Sequence, residues 1–166
     1  MYMTTVDVET STFGANLNRE ITWAHPAGRP DEAPIAKVLV VDDKPEIAEV
    51  TAKTLTDAGL LCDMAGGSRE ALDALRADCE ISIVVIDTKL SGVNGEEIIR
   101  GLHECRAGGR ELAIIIVTDC RDINNTIASL RQGAMDFLIR PVAAEYLACA
   151  TVRAAARMPM HAKPKF

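Results

Sequence analysis

The hydrophobic and polar positions of the chain change character at Lys37. Residues 1–36 keep no sustained period of two or of 3.6, and the stretch "TWAHPAGRPDEAP" carries three prolines and a glycine. Such a segment has too little apolar surface to offset its ordering entropy and reads as an irregular extension. Phe13, Leu17 and Ile21 fall at i, i+4, i+8 and, with Trp23, could form a short apolar face. A loosely packed tail is the plainer reading.

From Lys37 onward the pattern is regular. "KVLVV" (37–41), "ISIVVI" (81–86) and "LAIIIV" (112–117) are unbroken β-branched and aliphatic runs, the pattern of strands buried on both faces. "LLCDMA" (60–65) and "MDFLI" (135–139) are weaker strand candidates. Between them lie helical periods. In "IAEVTAKTLTDAG" (47–59), Ile47, Val50, Thr54 and Leu55 share one face and Gly59 can stop the helix. Ser68 is placed to cap "REALDALRA", whose stripe is Ala71, Leu72 and Leu75. "GEEIIRGLHEC" (95–105) opens with Glu96 and Glu97, favourable for the helix dipole. Asp122 can cap a helix over 122–133, and 143–158 reads as the last helix. Strand and helix thus alternate five times, which predicts a doubly wound α/β fold: a five-stranded parallel sheet between two layers of helices.

Composition narrows the function classes. With 166 residues, 48% apolar and 25% charged, the chain fits one soluble domain with appendages. A net charge of −6 argues against a nucleic-acid surface on the domain itself. The five cysteines (Cys62, Cys79, Cys105, Cys120, Cys149) form no C-x-x-C pair, which favours reduced thiols over a disulfide frame or zinc site. No run approaches the roughly 18 apolar residues of a membrane span. The polar, acidic start lacks the form of a secretory signal, so a cytoplasmic location is expected.

In an open parallel sheet, ligands bind beyond the carboxyl ends of the strands, where the winding reverses. Asp42 and Asp43 follow the first strand, Asp87 the third, Thr118 and Asp119 the fourth, and Arg140 the fifth. Singly, each has a bland explanation: a turn-forming aspartate, a strand-end hydroxyl, an arginine reaching for water. Together, at the one edge where the topology puts a site, they point to chemistry. Clustered carboxylates raise one another's pKa unless neutralised, and a hard divalent ion such as Mg²⁺ is the natural neutraliser. Mg²⁺ beside a nucleophilic carboxylate suits phosphoryl transfer through an acyl phosphate.

At this point "LVVDDKPEI", "VVIDTKLSGVNGEEII", "IIIVTD" and "GAMDFLIRPV" resemble the CheY-like receiver domain of two-component response regulators. The resemblance covers residues 37–157, leaving an extension (1–36) and a short basic tail (158–166), and it implies a flavodoxin-like (βα)5 three-layer sandwich. It implies that Asp87 accepts a phosphoryl group from a phosphohistidine on a sensor histidine kinase or a histidine phosphotransfer protein. It also implies that Asp42, Asp43, Asp87 and the backbone carbonyl of Lys89 hold Mg²⁺, one aspartate through water. Thr118 would bond a phosphoryl oxygen while Phe137, at the aromatic switch position, turns inward. An output protein would then read the surface of the fourth helix, fifth strand and fifth helix, with homodimerisation a further option. No direct contact with nucleic acid or membrane is implied, and no enzyme activity beyond assistance to its own phosphorylation and dephosphorylation.

Three positions depart from the family. Arg140 stands where lysine is usual, a planar fork in place of a point charge. Asp119 replaces a small residue, and at ~4 Å with an effective dielectric of ~20 its repulsion of a phosphoryl group is worth about 4 kcal/mol before screening. Ser91 replaces a common proline. The leading expectation is a single-domain phosphoacceptor receiver, with Arg140 paired to Asp119 when no phosphate is present. The alternative is a degenerate receiver acting as an unphosphorylated interaction module. A doubly wound enzyme or flavin-binding domain is disfavoured because "DDKPE" is no glycine-rich phosphate cradle.

Overall fold

The computed structural model describes residues 36–90, 95–105, 111–119 and 133–158. Their strands are β1 (Lys37–Val41), β2 (Leu61–Ala65), β3 (Ile81–Asp87), β4 (Ala113–Thr118) and β5 (Asp136–Ile139). Their helices are α1 (Pro45–Asp57), α2 (Ser68–Ala77), α3 (Gly95–Glu104) and α4 (Ala144–Arg157). The helix expected over 122–133 lies outside the described residues except for Gly133, as do the extension up to residue 35 and the tail beyond Met158.

All strands are parallel, in the order β2-β1-β3-β4-β5. Every residue of β3 and β4 is buried, as the unbroken apolar runs require of central parallel strands. Alternate side chains serve opposite faces. Leu39, Val41, Val84, Ile86, Ile114 and Ile116 pack with Ala71 and Leu75 of α2 and Ile98, Ile99 and Leu102 of α3. On the other face Val38, Val40, Ile83, Val85, Ile115 and Val117 pack with Ala48 and Leu55 of α1 and Leu147 and Ala154 of α4. Each large aliphatic residue so buried contributes roughly 1.5–3 kcal/mol of transfer free energy, so these two cores dominate the fold's stability.

Two local expectations are corrected. The buried stripe of α1 is Ala48 and Leu55, with Ala52 partly buried, and not the face of Ile47, Val50 and Thr54: Val50 is 67% exposed. The small alanines let α1 lie close on the sheet, which turns the larger side chains toward a lateral cleft. Ser68 does not cap α2; the cap position is Gly67, and the Gly66 N–H donates instead to Glu70 Oε2 at 2.7 Å. On β5 the burial alternates, with Phe137 and Ile139 exposed by 38% and 42%, because this strand is an edge of the sheet. As expected, α1 stops at Gly59, whose φ of 88° is the left-handed conformation that glycine tolerates best.

Candidate functional site

The winding reverses between β1 and β3, which are sheet neighbours with Val41 opposite Ile86. One residue further on, Asp42 and Asp87 stand side by side at the carboxyl edge, 5% and 4% exposed. Burying a carboxylate is costly unless it is paired and hydrogen-bonded, and both are served in the same way. Asp42 Oδ1 accepts the Lys44 N–H at 2.9 Å and Asp87 Oδ1 accepts the Lys89 N–H at 3.0 Å, local turns that fix each carboxylate. The second oxygen of each faces Arg140: Nη2 donates to Asp42 Oδ2 at 3.1 Å, and Nη1 lies 2.9 Å from Asp87 Oδ2. The second contact has ion-pair distance without hydrogen-bond alignment, and Asp87 Oδ2 is a buried atom with no hydrogen bond.

Arg140 is held by its backbone, whose N–H donates to the Thr118 carbonyl at 2.8 Å, and its peptide bond to Pro141 is cis. Thr118, 1% exposed at the end of β4, is hydrogen-bonded on two sides. Its hydroxyl accepts from Thr88 Oγ1 at 3.0 Å and donates to the Asp119 carbonyl at 3.3 Å. Thr88 was not among the candidates from sequence, because a threonine after a strand-end aspartate carries no signal of its own.

Asp119 is where the sequence expectation is overturned. Its Oδ2 is bound by Lys89 Nζ, while Arg140 goes to Asp42 and Asp87. The extra carboxylate therefore carries its own counterion, and the unscreened repulsion of about 4 kcal/mol does not apply to it in full. Lys89 was considered only for its carbonyl; its ammonium is the overlooked part.

Two carboxylates against one guanidinium leave a net negative charge at this edge, with Asp43 half-buried next in the chain. Among the described residues no three carboxylate, imidazole or thiol side chains converge as a metal cage. Mg²⁺ commonly takes only one or two protein carboxylates and fills its remaining positions with water or phosphate. The all-oxygen donor set of Asp42 and Asp87, with one unsatisfied oxygen on Asp87, fits that chemistry. The pair opens onto a cleft of about 470 Å³ between α1 and α4, also lined by Glu46, Thr51, Pro141 and Leu147. Phe137 sits apart, exposed on β5 opposite Ile116 of β4.

The remaining expectations concern features away from this edge. Cys62, Cys79, Cys105 and Cys149 form no disulfide, and Cys120 lies outside the described residues. Burial pushes the Cys62 thiol up, which disfavours its reactive thiolate. No helix among the described residues is long and apolar enough to cross a membrane.

A five-stranded parallel sheet in the order β2-β1-β3-β4-β5, with two buried aspartates and an arginine at its switch point, defines an α/β fold of the flavodoxin-like class. Residues 38–151 match the family model of the response regulator receiver domain, and the chain belongs to that family. It is 34% identical over 113 residues to the probable transcriptional regulatory protein SilR of Salmonella typhimurium, covering 68% of this chain and 48% of that protein. To the C4-dicarboxylate transport transcriptional regulatory protein DctD of Pseudomonas aeruginosa it is 32% identical, covering 67% of this chain and 23% of the relative. The chain thus spans less than half the length of these relatives. Among solved structures, a receiver domain protein from Clostridium thermocellum superposes with a TM-score of 0.68 at 31% identity, covering 74% of this chain and 95% of that one.

Proposed function

We propose that this receiver is a phosphoacceptor whose acceptor is Asp87. The observation that carries the reading is Asp87 itself: a buried strand-end carboxylate that borders the cleft and whose Oδ2 has no hydrogen bond. In the transfer, a carboxylate oxygen of Asp87 forms a bond to phosphorus as the P–N bond of a phosphohistidine breaks. The imidazole leaves with the electron pair and takes up a proton. The donor is a sensor histidine kinase or a histidine phosphotransfer protein.

Mg²⁺, held by Asp42, Asp43, Asp87 and the Lys89 carbonyl, would neutralise charge on the transferring oxygens. The chain's own residues do the rest. The Lys89 N–H holds Asp87 Oδ1, which fixes the orientation of the acceptor carboxylate. Arg140, anchored through its backbone beside Asp87, supplies positive charge to the arriving phosphoryl group. Thr118 exchanges its contact with Thr88 for a phosphoryl oxygen, and Phe137 leaves its exposed position to fill the space behind it. The surface of β5, α4 and residues 122–133 is then read by an output protein, with residues 37–157 acting as one domain. The test is intact-mass spectrometry after incubation with Mg²⁺ and a small acyl phosphate. The expected result is the gain of one phosphoryl group, absent in Asp87→Asn; an adduct that persists in that variant would sink the assignment.

One observation favours a second reading. Arg140 already engages both Asp42 and Asp87, an arrangement that also suits an unphosphorylated interaction module. The same assay separates the two, because that module takes no adduct.

A further inference from the structure

We infer that the guanidinium of Arg140 is a built-in counterion seated where a divalent cation would bind, so that metal binding is an exchange with Arg140. The inference rests on reading the Asp42–Asp87 edge as a cation site. Its basis is which oxygens are taken. Each aspartate commits Oδ1 to a backbone N–H two residues on, Lys44 for Asp42 and Lys89 for Asp87. Oδ2 is therefore the oxygen of each that these backbone contacts leave over, and both Oδ2 atoms face the same side chain, at 3.1 Å and 2.9 Å.

A lysine here would have to serve both carboxylates through one nitrogen, whereas the planar fork gives each carboxylate a nitrogen of its own. The seat is also escapable. The side chain of Arg140 is 24% exposed against 5% and 3% for its partners, and its backbone is anchored separately to the Thr118 carbonyl. Only the side chain has to move. The hold on Asp87 is the looser one, since Oδ2 there lacks an aligned N–H.

An occupied seat lowers apparent affinity by the fraction of molecules in which it is open. If Arg140 is seated in about nine molecules of ten, the apparent Mg²⁺ affinity falls about tenfold. The site would then stay partly neutralised at low Mg²⁺ and respond to the cation over a higher concentration range than the bare carboxylates would.

The experiment is a calorimetric titration of Mg²⁺ into the full chain, as wild type, Arg140→Ala and Arg140→Lys, at constant ionic strength. Arg140→Ala is expected to bind about tenfold more tightly. Arg140→Lys, which keeps the charge and loses the fork, is expected to bind more tightly than wild type as well. A lysine variant at wild-type affinity would mean that charge alone matters and would overturn the inference, as would an alanine variant that binds no more tightly. Should Arg140→Ala fail to fold, the lysine variant decides, together with the Arg140 Nε–H resonance in wild type. That resonance is expected to shift on Mg²⁺ addition, and its constancy at saturating Mg²⁺ contradicts the exchange. None of these readouts uses phosphorylation. An Asp87 adduct with equal Mg²⁺ affinities would defeat the counterion and leave the receiver reading standing; tighter variants without any adduct would do the reverse.

Discussion

Lys89 serves two carboxylates at once, its backbone N–H on Asp87 and its ammonium on Asp119. The consequence at the residue scale is that Asp119 should obstruct phosphorylation little while Lys89 is present. The pair is largely exposed, at 48% and 36%, so its coupling is worth about 0.2–1 kcal/mol, a change of up to about fivefold. Lys89→Gln is therefore expected to lower adduct yield by up to about fivefold, and Asp119→Asn in the same chain to restore it. Quantitative intact-mass spectrometry checks both; a yield unchanged by Lys89→Gln would contradict the pairing. The acidic residues were legible in the sequence because strand ends and sheet topology place them together. The Lys89–Asp119 and Thr88–Thr118 contacts were not, since each joins residues 30 apart and depends on where a side chain turns after the strand ends.

Among the elements, the central strands were the most legible, for a physical reason: a parallel strand covered on both faces must be apolar throughout. Helix faces carry less information when small residues make the contact. In α1, Ala48 packs on the sheet while Val50, apolar and at helical spacing, faces outward. Val50→Ser is accordingly expected to change stability by no more than about 0.5 kcal/mol. Leu55→Ala should cost about 2–5 kcal/mol, because that side chain is wholly buried. Urea denaturation of the two variants compares them directly, and a larger loss for Val50→Ser would restore the face expected from the sequence. The edge strand β5 shows the same limit: "DFLI" is apolar enough to look buried, yet only its neighbours decide which side chains are covered.

For the molecule as a whole, the two ends of the sheet have opposite duties. At the amino end, Lys37 binds Asp63 and Asp78, closing β1 onto β2 and the turn before β3. The Lys37 contact holds Asp78 below the usual carboxylate range, and Asp63 and Asp78 push Lys37 upward. A depressed Asp78 adds stability that is present above its ordinary value of 3.8 and is lost as pH falls through its folded value. A raised Lys37 adds stability that is present below its ordinary 10.5 and is lost as pH rises through its folded value. Asp78→Asn should thus cost about 1 kcal/mol near neutral pH, with the difference from wild type vanishing on acidification; urea midpoints across the acid range check it. At the carboxyl end, the proposed exchange of charge and the proposed phosphoacceptor role both centre on Asp87. The most direct test is reductive trapping with borohydride after incubation with Mg²⁺ and an acyl phosphate, which converts an aspartyl phosphate to the alcohol and marks its position in a peptide map. The expected result is a single modified residue, Asp87, lost when the Mg²⁺ is chelated. A map with Asp87 unmodified, or with the label on Asp42 or Asp119, would contradict the assignment.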